Sequence, residues 1–338
     1  MKRIFFIVFL IILFVISVKM VSAEQINISL MSIEEKVAQM IIVRGDSYEP
    51  RFSDIDIGGI QLSKKKTKES YKVLIEQYQK NSKIKLFIAT DMEGYWNPFS
   101  FYKSKNFAQV NNGKEAYELG KEHGKILKEL GFNLDFSPVV ETRNNVWPGR
   151  SFTGNNKEVK EKIKGYITGL HEEGIMATAK HYPGGSMIRD PHWFIVRAKI
   201  YPEDLEMFEY AIKNNVDAIM VGHAIVYGTI DSKGKQSSIS EEVIQPLRKK
   251  FAGLIISDAI TMLGLRLSYL FKFDSIYIDL INAGNDIILD VWKYSDYEKV
   301  KKRIDKTVEA VKQGKISEER IDDSVKRILE MKGYEIME

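Results

Sequence analysis

Eight short apolar runs, each followed by a segment with helical periodicity or by a loop, restrict the fold of this 338-residue chain more than any other feature. The runs have the length of strands and are apolar throughout, which is typical of parallel strands buried on both faces of a sheet. The predicted strands cover residues 37–43, 56–62, 86–91, 132–140, 175–179, 218–221, 254–258 and 286–290. The predicted helices cover residues 66–79, 114–130, 157–173, 202–214, 240–250, 297–313 and 317–332.

Eight such units are the number in a (β/α)8 barrel, so the sequence predicts an α/β protein of this class, a TIM barrel. A doubly wound open sheet is the alternative fold, but no Gly-rich phosphate-binding fingerprint follows an early strand. No stretch has the composition of a linker, a repeat array or a low-complexity tail. We therefore expect a single barrel domain over residues 24–338.

Residues 1–23 have the pattern of a secretory signal peptide. Lys2 and Arg3 precede an apolar run over residues 4–18, and Val21 and Ala23 occupy the two positions that a signal peptidase reads. Roughly 15 apolar residues is short for a membrane span, which needs about 20. We expect an exported protein, with retention of this segment as a membrane anchor as the alternative.

Composition excludes several classes of function. The chain has 50 Lys and Arg against 46 Asp and Glu, and removal of residues 1–23 leaves a net charge of only +1. A nearly neutral chain carries no electrostatic signature of nucleic-acid binding. The absence of cysteine excludes disulfide bonds and thiol catalysis.

Polar side chains follow the predicted strands at their carboxyl ends, where a barrel of this class has its active site. These residues are Asp91 and Glu93 after the third strand, Arg150 after the fourth, Lys180 and His181 at the fifth, His223 after the sixth, and Asp258 at the seventh. Each has a structural alternative: a helix cap for Asp258, a surface ion pair for Arg150 and a core position for His223. Their coincidence at one end of eight strands predicts a functional site.

The loop after the fifth strand carries Asp190-Pro191-His192. Residues two apart on an extended segment point to the same side, and a proline favours extended geometry in the residue before it. Asp190 is therefore expected to hold one ring nitrogen of His192, leaving the other to move a proton near neutral pH. The alternative is a loop with a solvated aspartate and a half-buried histidine.

A carboxylate nucleophile with a separate proton donor is the arrangement of retaining glycoside hydrolysis. Asp258 fits the nucleophile, and His192 fits the donor. Four aromatic side chains near the same loops would stack on sugar rings or pack at the barrel rim: Tyr95, Trp96, Trp147 and Trp193. A metal hydrolase is the weaker alternative, because Asp190 and His192 would supply two ligands but no HExxH motif is present. We expect neither a metal nor a cofactor.

Several motifs occur in the order of a known family. They are Ile57-Gly58-Gly59-Ile60, Asp91-Met92-Glu93-Gly94, Asn133-Leu134-Asp135-Phe136-Ser137-Pro138-Val139, Arg150-Ser151-Phe152, Lys180-His181-Tyr182-Pro183-Gly184 and Ser257-Asp258. Over residues 32–332 the chain resembles the family 3 glycoside hydrolases, in particular the single-domain bacterial β-N-acetylglucosaminidases that act on peptidoglycan fragments.

The resemblance implies a (β/α)8 barrel, a carbohydrate substrate and no cofactor. It implies that Asp258 is the nucleophile and that His192, paired with Asp190, is the acid/base. It further implies that four residues bind the sugar: Asp91, Arg150, Lys180 and His181.

Two departures from the family pattern concern the substrate. The family usually has Gln-Glu-Gly-Gly-Arg after the aspartate of the third strand, and this chain has Trp96 at the position of the arginine. The loop before the dyad is one residue shorter, with Gly184-Gly185-Ser186 after Pro183. The leading hypothesis is an exported exo-acting β-N-acetylhexosaminidase. The alternatives are a β-glucosidase or phosphorylase of the same family, and a catalytically silent sugar-binding relative.

Overall fold

The structure is a computed structural model that describes residues 24–142, 146–185, 189–270, 272–291 and 294–337; the predicted signal peptide lies outside these residues. Within them, eight parallel strands form one sheet. The strands are β1 Ile41–Arg44, β2 Gly59–Gln61, β3 Phe87–Thr90, β4 Leu134–Asp135, β5 Met176–Tyr182, β6 Ala218–Val221, β7 Leu254–Ser257 and β8 Ile288–Asp290. Their order in the sheet is β7-β6-β5-β4-β3-β2-β1-β8. The predicted (β/α)8 fold is confirmed.

The two outer strands of this order meet and bring the sheet round into a barrel. A parallel bridge joins Ile256 of β7 to Ile287, and the Ser257 N–H donates to the Ile287 carbonyl at 2.9 Å. Large apolar side chains from the strands are fully buried, as expected for a sheet whose two faces are both covered. The barrel interior is therefore a packed core, and in this fold the functional residues lie at the carboxyl ends of the strands and in the loops that follow them.

Helices surround the barrel. They are α1 Ile33–Gln39, α2 Pro50–Asp54, α3 Lys68–Asn81, α4 Gly113–Leu130, α5 Asn156–Glu172, α6 Pro202–Lys213, α7 Glu241–Arg248, α8 Leu263–Arg266, α9 Ile276–Ala283, α10 Tyr297–Lys312 and α11 Glu318–Met331. Helix α4 ends at Gly131, whose left-handed backbone (φ 96°) forms the predicted C-cap. In the described part of the chain, no helix is both long enough and apolar enough to span a bilayer.

All eight predicted strands are present, with bounds that differ by up to three residues in most of them, and two differ more. The run 37–43 is divided, because Ser32 and Glu35 form a capping box that starts α1, and the strand begins only at Ile41. The run 132–140 gives only two strand residues, Leu134–Asp135. Beyond Asp135 the pairing with β5 continues as an isolated bridge between Val139 and Lys180 rather than as a regular strand. Pro138, which has no N–H to donate, contributes its carbonyl, which accepts the Lys180 N–H at 3.1 Å.

Two short parallel ribbons lie outside the barrel sheet. Residues Glu24–Asn27 pair with Tyr334–Met337 and join the two ends of the described chain. Residues Arg197–Ile200 pair with Ile225–Gly228. The second ribbon follows the segment that carries Asp190 and His192, so it ties that segment to the loop after β6.

A buried carboxylate supports the seam between β7 and β8 at the amino end of these strands. Asp286 is fully buried, accepts the Ile255 N–H at 2.9 Å and pairs with Arg248 of α7. From α11, Arg327 lies 3.1 Å away, and the Ser324 hydroxyl donates at 2.7 Å. One side chain thus links two strands and two helices where the barrel closes.

We expect Asp286→Ala to lower the free energy of unfolding by about 3–5 kcal/mol, because it leaves partly buried guanidinium groups without their carboxylate. Urea denaturation followed by circular dichroism measures this change. Asp305→Ala is the matched control, since Asp305 is half exposed and, among the residues that the structure describes, pairs only along its own helix with Lys301, a pair worth about 0.3–0.5 kcal/mol. Equal effects of the two substitutions would show that Asp286 does not stabilise the seam.

Candidate active site

The residues predicted from the sequence surround one cavity of about 670 Å³ at the carboxyl ends of the barrel strands. The structure brings all of the predicted catalytic and sugar-binding residues to its wall: Asp91, Arg150, Lys180, His181, Asp190, His192 and Asp258. The parallel strands carry each residue to the same end of the barrel. The cavity is large enough for a small sugar ligand.

A buried network of charged groups forms one side of the cavity. Glu93 is fully buried and accepts two hydrogen bonds from Arg150, from Nε at 2.6 Å and from Nη2 at 2.8 Å. Lys180 Nζ lies 2.5 Å from Glu93 and 2.7 Å from Asp91. Gln61 Nε2 donates to the other oxygen of Asp91 at 2.5 Å. The surface ion pair considered for Arg150 is wrong, because this side chain is buried in the network.

The network fixes the charges of its members. Burial alone would raise the pKa of Glu93, but the charges of Arg150 and Lys180 lower this pKa to about 2. Burial disfavours the charged form of Lys180, yet Asp91 and Glu93 raise its pKa above the ordinary value. At neutral pH the pocket therefore presents fixed ionic groups, which form the stronger class of hydrogen bond to sugar hydroxyls.

Asp258 follows β7 and is mostly shielded from solvent, with 17% of its side chain exposed. Its Oδ1 accepts the Ala259 N–H at 2.7 Å, and its Oδ2 lies 4.0 Å from His181 Nε2. Burial opposes ionisation, but the charge of His181 and the hydrogen bond from Ala259 contribute to lowering the pKa of Asp258 to about 2. Asp258 is thus an anion at neutral pH, as a carboxylate nucleophile must be.

Glu141 orients His181 and was not identified from the sequence. Its Oε1 lies 3.0 Å from His181 Nδ1 and accepts the His181 backbone N–H at 3.1 Å. Glu141 is 4% exposed; burial opposes its ionisation, but the charge of His181 and other contacts lower its pKa. A signal was present, because Glu141 is the first polar residue after the fourth apolar run. Gln61 was missed as well, since it interrupts an apolar run by a single residue.

The predicted contact between Asp190 and His192 is present. Asp190 Oδ1 lies 2.7 Å from His192 Nδ1 and accepts the His192 backbone N–H at 2.8 Å. The dyad is more exposed than the rest of the site, with 42% of the His192 side chain accessible. No described residue hydrogen-bonds His192 Nε2, so this nitrogen is open toward the cavity.

His223 lies deeper in the cavity wall than the dyad. Its Nε2 donates to the Ala259 carbonyl at 3.0 Å, and its Nδ1 lies 2.8 Å from the Ser238 hydroxyl. Burial lowers the pKa of His223, which favours the neutral ring. The core position considered for His223 is confirmed. His223 holds Ala259, whose N–H donates to Asp258.

The aromatic residues divide into two groups. Trp96, Trp147 and Trp193 line the cavity, whereas Tyr95 packs edge-on against Trp96 at a centroid distance of 5.6 Å. The ring of Tyr95 also lies against Gly149, where an added Cβ would come within 2.7 Å of it. Three indoles are therefore available to a ligand, and Tyr95 holds the loops that carry two of them.

A second layer supports the loop that carries Glu93. Asp135 is fully buried, and its Oδ1 accepts the Met92 N–H at 2.9 Å. Tyr166 of α5 donates to the Met92 carbonyl at 3.1 Å, and its hydroxyl lies 2.7 Å from His123 Nδ1. Burial raises the pKa of Asp135 well above its usual value and lowers that of His123 to about 3. Buried side chains in the layer behind the network thus hold the backbone next to Glu93.

Comparison with known proteins gives one family. The model of the glycosyl hydrolase family 3 N-terminal domain matches residues 32–331. A β-hexosaminidase of Psychromonas ingrahamii is 29% identical over 242 residues, which are 65% of this chain and 71% of that protein. β-Hexosaminidase A of Pseudoalteromonas piscicida is 26% identical over 75% of this chain, which spans about half of its length (48%).

Solved structures show the same barrel. A family 3 β-N-acetylglucosaminidase from a Paenibacillus species superimposes with a TM-score of 0.81 at 25% identity, over 89% of this chain and 62% of that one. A family 3 glycosyl hydrolase of Mycobacterium smegmatis gives a TM-score of 0.81 at 22% identity, over 91% and 99%. With its barrel, its cavity at the carboxyl ends of the strands and these matches, the chain belongs to glycoside hydrolase family 3.

Proposed function

We propose that this glycoside hydrolase is an exported, retaining exo-acting β-N-acetylhexosaminidase that removes terminal β-linked N-acetylglucosamine from peptidoglycan fragments or related glycans. One observation carries the proposal: an ionised carboxylate, Asp258, shares a cavity with a histidine whose Nε2 is open and whose Nδ1 is held by Asp190. This pair has the two groups that double displacement at a sugar requires.

The terminal sugar would bind among the fixed charges. Asp91, Arg150, Lys180 and His181 line the cavity next to Asp258, and each has polar atoms suited to sugar hydroxyls. The network around Glu93 holds three of these side chains, Asp91, Arg150 and Lys180, before substrate arrives. Such preorganisation reduces the entropy lost on binding.

In the first step, an oxygen of Asp258 attacks the anomeric carbon, and the bond from that carbon to the leaving oxygen breaks. His192 Nε2 gives its proton to the leaving oxygen, and Asp190 stabilises the imidazolium before transfer. In the second step, His192 takes a proton from water, the water oxygen attacks the anomeric carbon, and the bond to Asp258 breaks. Two displacements at one carbon retain its configuration.

Export rests on residues 1–23, whose basic start, apolar run and small residues are those of a signal peptide. An exported enzyme would meet cell-wall material, which is consistent with the amino-sugar substrate. Relatives named β-hexosaminidase support the same substrate class.

We expect Asp258→Ala to lower kcat at least about a thousandfold, because no other group can form the covalent bond. Thermal unfolding should stay close to that of the unaltered protein. Added azide should restore turnover of an activated glycoside and give the glycosyl azide of inverted configuration. A variant that keeps a tenth of the original rate would show that Asp258 is not the nucleophile.

His192→Ala should discriminate between leaving groups. With a natural disaccharide, loss of the proton donor should lower kcat/KM by about 10²–10⁴, whereas an activated nitrophenyl glycoside needs little protonation and should lose less than about tenfold. The measurement is kcat/KM for both substrates. Similar losses on both would reject His192 as the acid.

The choice of sugar is tested with nitrophenyl β-N-acetylglucosaminide, nitrophenyl β-glucoside and a muropeptide disaccharide. We expect the highest kcat/KM with a terminal N-acetylglucosamine and only weak dependence on the partner sugar. Trp96→Arg should increase the differences in kcat/KM among these three substrates roughly ten- to a hundredfold, because one charged hydrogen bond is worth about 1.5–3 kcal/mol.

Three results of this panel would contradict the proposal. Fastest turnover of the plain glucoside would place the chain with β-glucosidases. Formation of sugar 1-phosphate on addition of phosphate would identify a phosphorylase. A histidine as the acid makes the site less anionic and therefore less repulsive toward phosphate. Binding of the glycosides without turnover would identify a silent sugar-binding protein.

A further inference from the structure

Trp147 contacts both His192, which pairs with Asp190, and Arg150, which belongs to the charged network around Glu93. Its indole meets the His192 ring edge-on, with centroids 5.8 Å apart and an interplanar angle of 80°. The Arg150 guanidinium lies 5.2 Å from the centre of the same indole. Both distances are in the range of favourable contacts, an aromatic pair for the first and a cation–π contact for the second. One side chain therefore connects the histidine to the sugar-binding network.

Trp147 is firmly placed by the loop that carries it. The Arg150 N–H donates to the Trp147 carbonyl at 3.0 Å and closes a tight turn. Arg150 at one end of this turn is held by Glu93, and Gly149 within it lies against Tyr95. The turn is thus attached to the rigid, buried side of the cavity.

His192 has weaker support on its own segment. Its backbone is tied by the Leu263 N–H, which donates to the His192 carbonyl at 3.0 Å. Its ring is 42% exposed and is hydrogen-bonded at Nδ1 by Asp190, which lies on the same segment. Asp190 lies on the same segment, so its hydrogen bond orients the ring relative to that segment only. A contact from another element on the ring itself fixes Nε2 relative to the cavity.

We propose that Trp147 is a positioning residue that holds the His192 imidazole in the orientation for proton transfer. The inference rests on the proposed function, in which His192 is the acid/base. The indole is fixed by the turn that ends at Arg150, and it packs against the His192 ring, which is half exposed on its own loop. Trp147 neither donates nor accepts the proton; it restricts where Nε2 points.

The proposal predicts a defect confined to the protonation step. Trp147→Ala should lower kcat/KM about 10- to 100-fold for a substrate with a poor leaving group, since misplacement of a catalytic group by about 1 Å costs up to 10²-fold. An activated nitrophenyl glycoside should lose less than about threefold, because it needs little proton donation. Trp147→Phe keeps an aromatic partner for His192 and should recover most of the loss.

Trp96→Ala is the matched control, because it removes an indole that lines the same cavity. It should change kcat/KM for both leaving groups by the same factor. If Trp147→Ala also changes both equally, or changes neither, Trp147 packs or binds sugar without positioning His192, and the proposal is wrong. The glycoside used is the one that the substrate panel finds best.

Fluorescence tests the contact without turnover, because the emission of an indole depends on the groups packed against it. At one fixed pH, His192→Ala should change the tryptophan emission of the unaltered protein, since it removes the ring that meets Trp147 edge-on. The same substitution made in Trp147→Phe should leave the emission unchanged.

A change on His192→Ala that persists in the Trp147→Phe protein would mean that another indole, such as Trp193, reports the loss of the ring, and it would overturn the proposed contact. Absence of hydrolysis of every glycoside would instead refute the proposed function. The fluorescence comparison separates these two failures, because it depends on the ring contact alone.

Discussion

The buried carboxylate of Glu93 is the interaction on which the site depends. It receives a two-point contact from Arg150, whose loop follows β4, and a third contact from Lys180 of β5. A carboxylate removed from water is costly unless cations and hydrogen bonds replace the solvent. Here the replacement comes from separate barrel elements, so satisfying one buried charge fixes two loops and β5 relative to one another. The groups that we propose to bind the sugar are preorganised as a consequence.

The two groups assigned to chemistry sit in different environments. Asp258 is enclosed, tied to a backbone N–H and kept anionic by its surroundings. His192 is half exposed on a segment that returns to the barrel through the short ribbon at Arg197–Ile200. A nucleophile benefits from a fixed position, whereas the acid/base must reach a leaving group and then water. The difference in exposure matches this division of roles.

Stability and chemistry are assigned to opposite ends of the barrel. At the amino end of the strands, Asp286 joins β7, β8, α7 and α11 where the sheet closes. At the carboxyl end, charged side chains are gathered around a cavity. This separation lets loops such as the one with Trp96 vary without disturbing the closure of the sheet, which is the general advantage of this fold.

The sequence by itself determined the barrel and most of the residues around its cavity. Apolar runs of strand length that alternate with helical segments are typical of buried parallel strands, and parallel strands bring the residues after them to one end. The positions of Asp91, Lys180 and Asp258 therefore followed from the order of these elements. Sequence patterns did not separate α1 from β1, because an apolar run looks the same in a buried helix and a buried strand. Tertiary structure alone decided the partners: Glu93 with Arg150, Glu141 with His181, and Trp147 with His192. These contacts join loops far apart in the chain, and their formation depends on side-chain directions that no local pattern encodes.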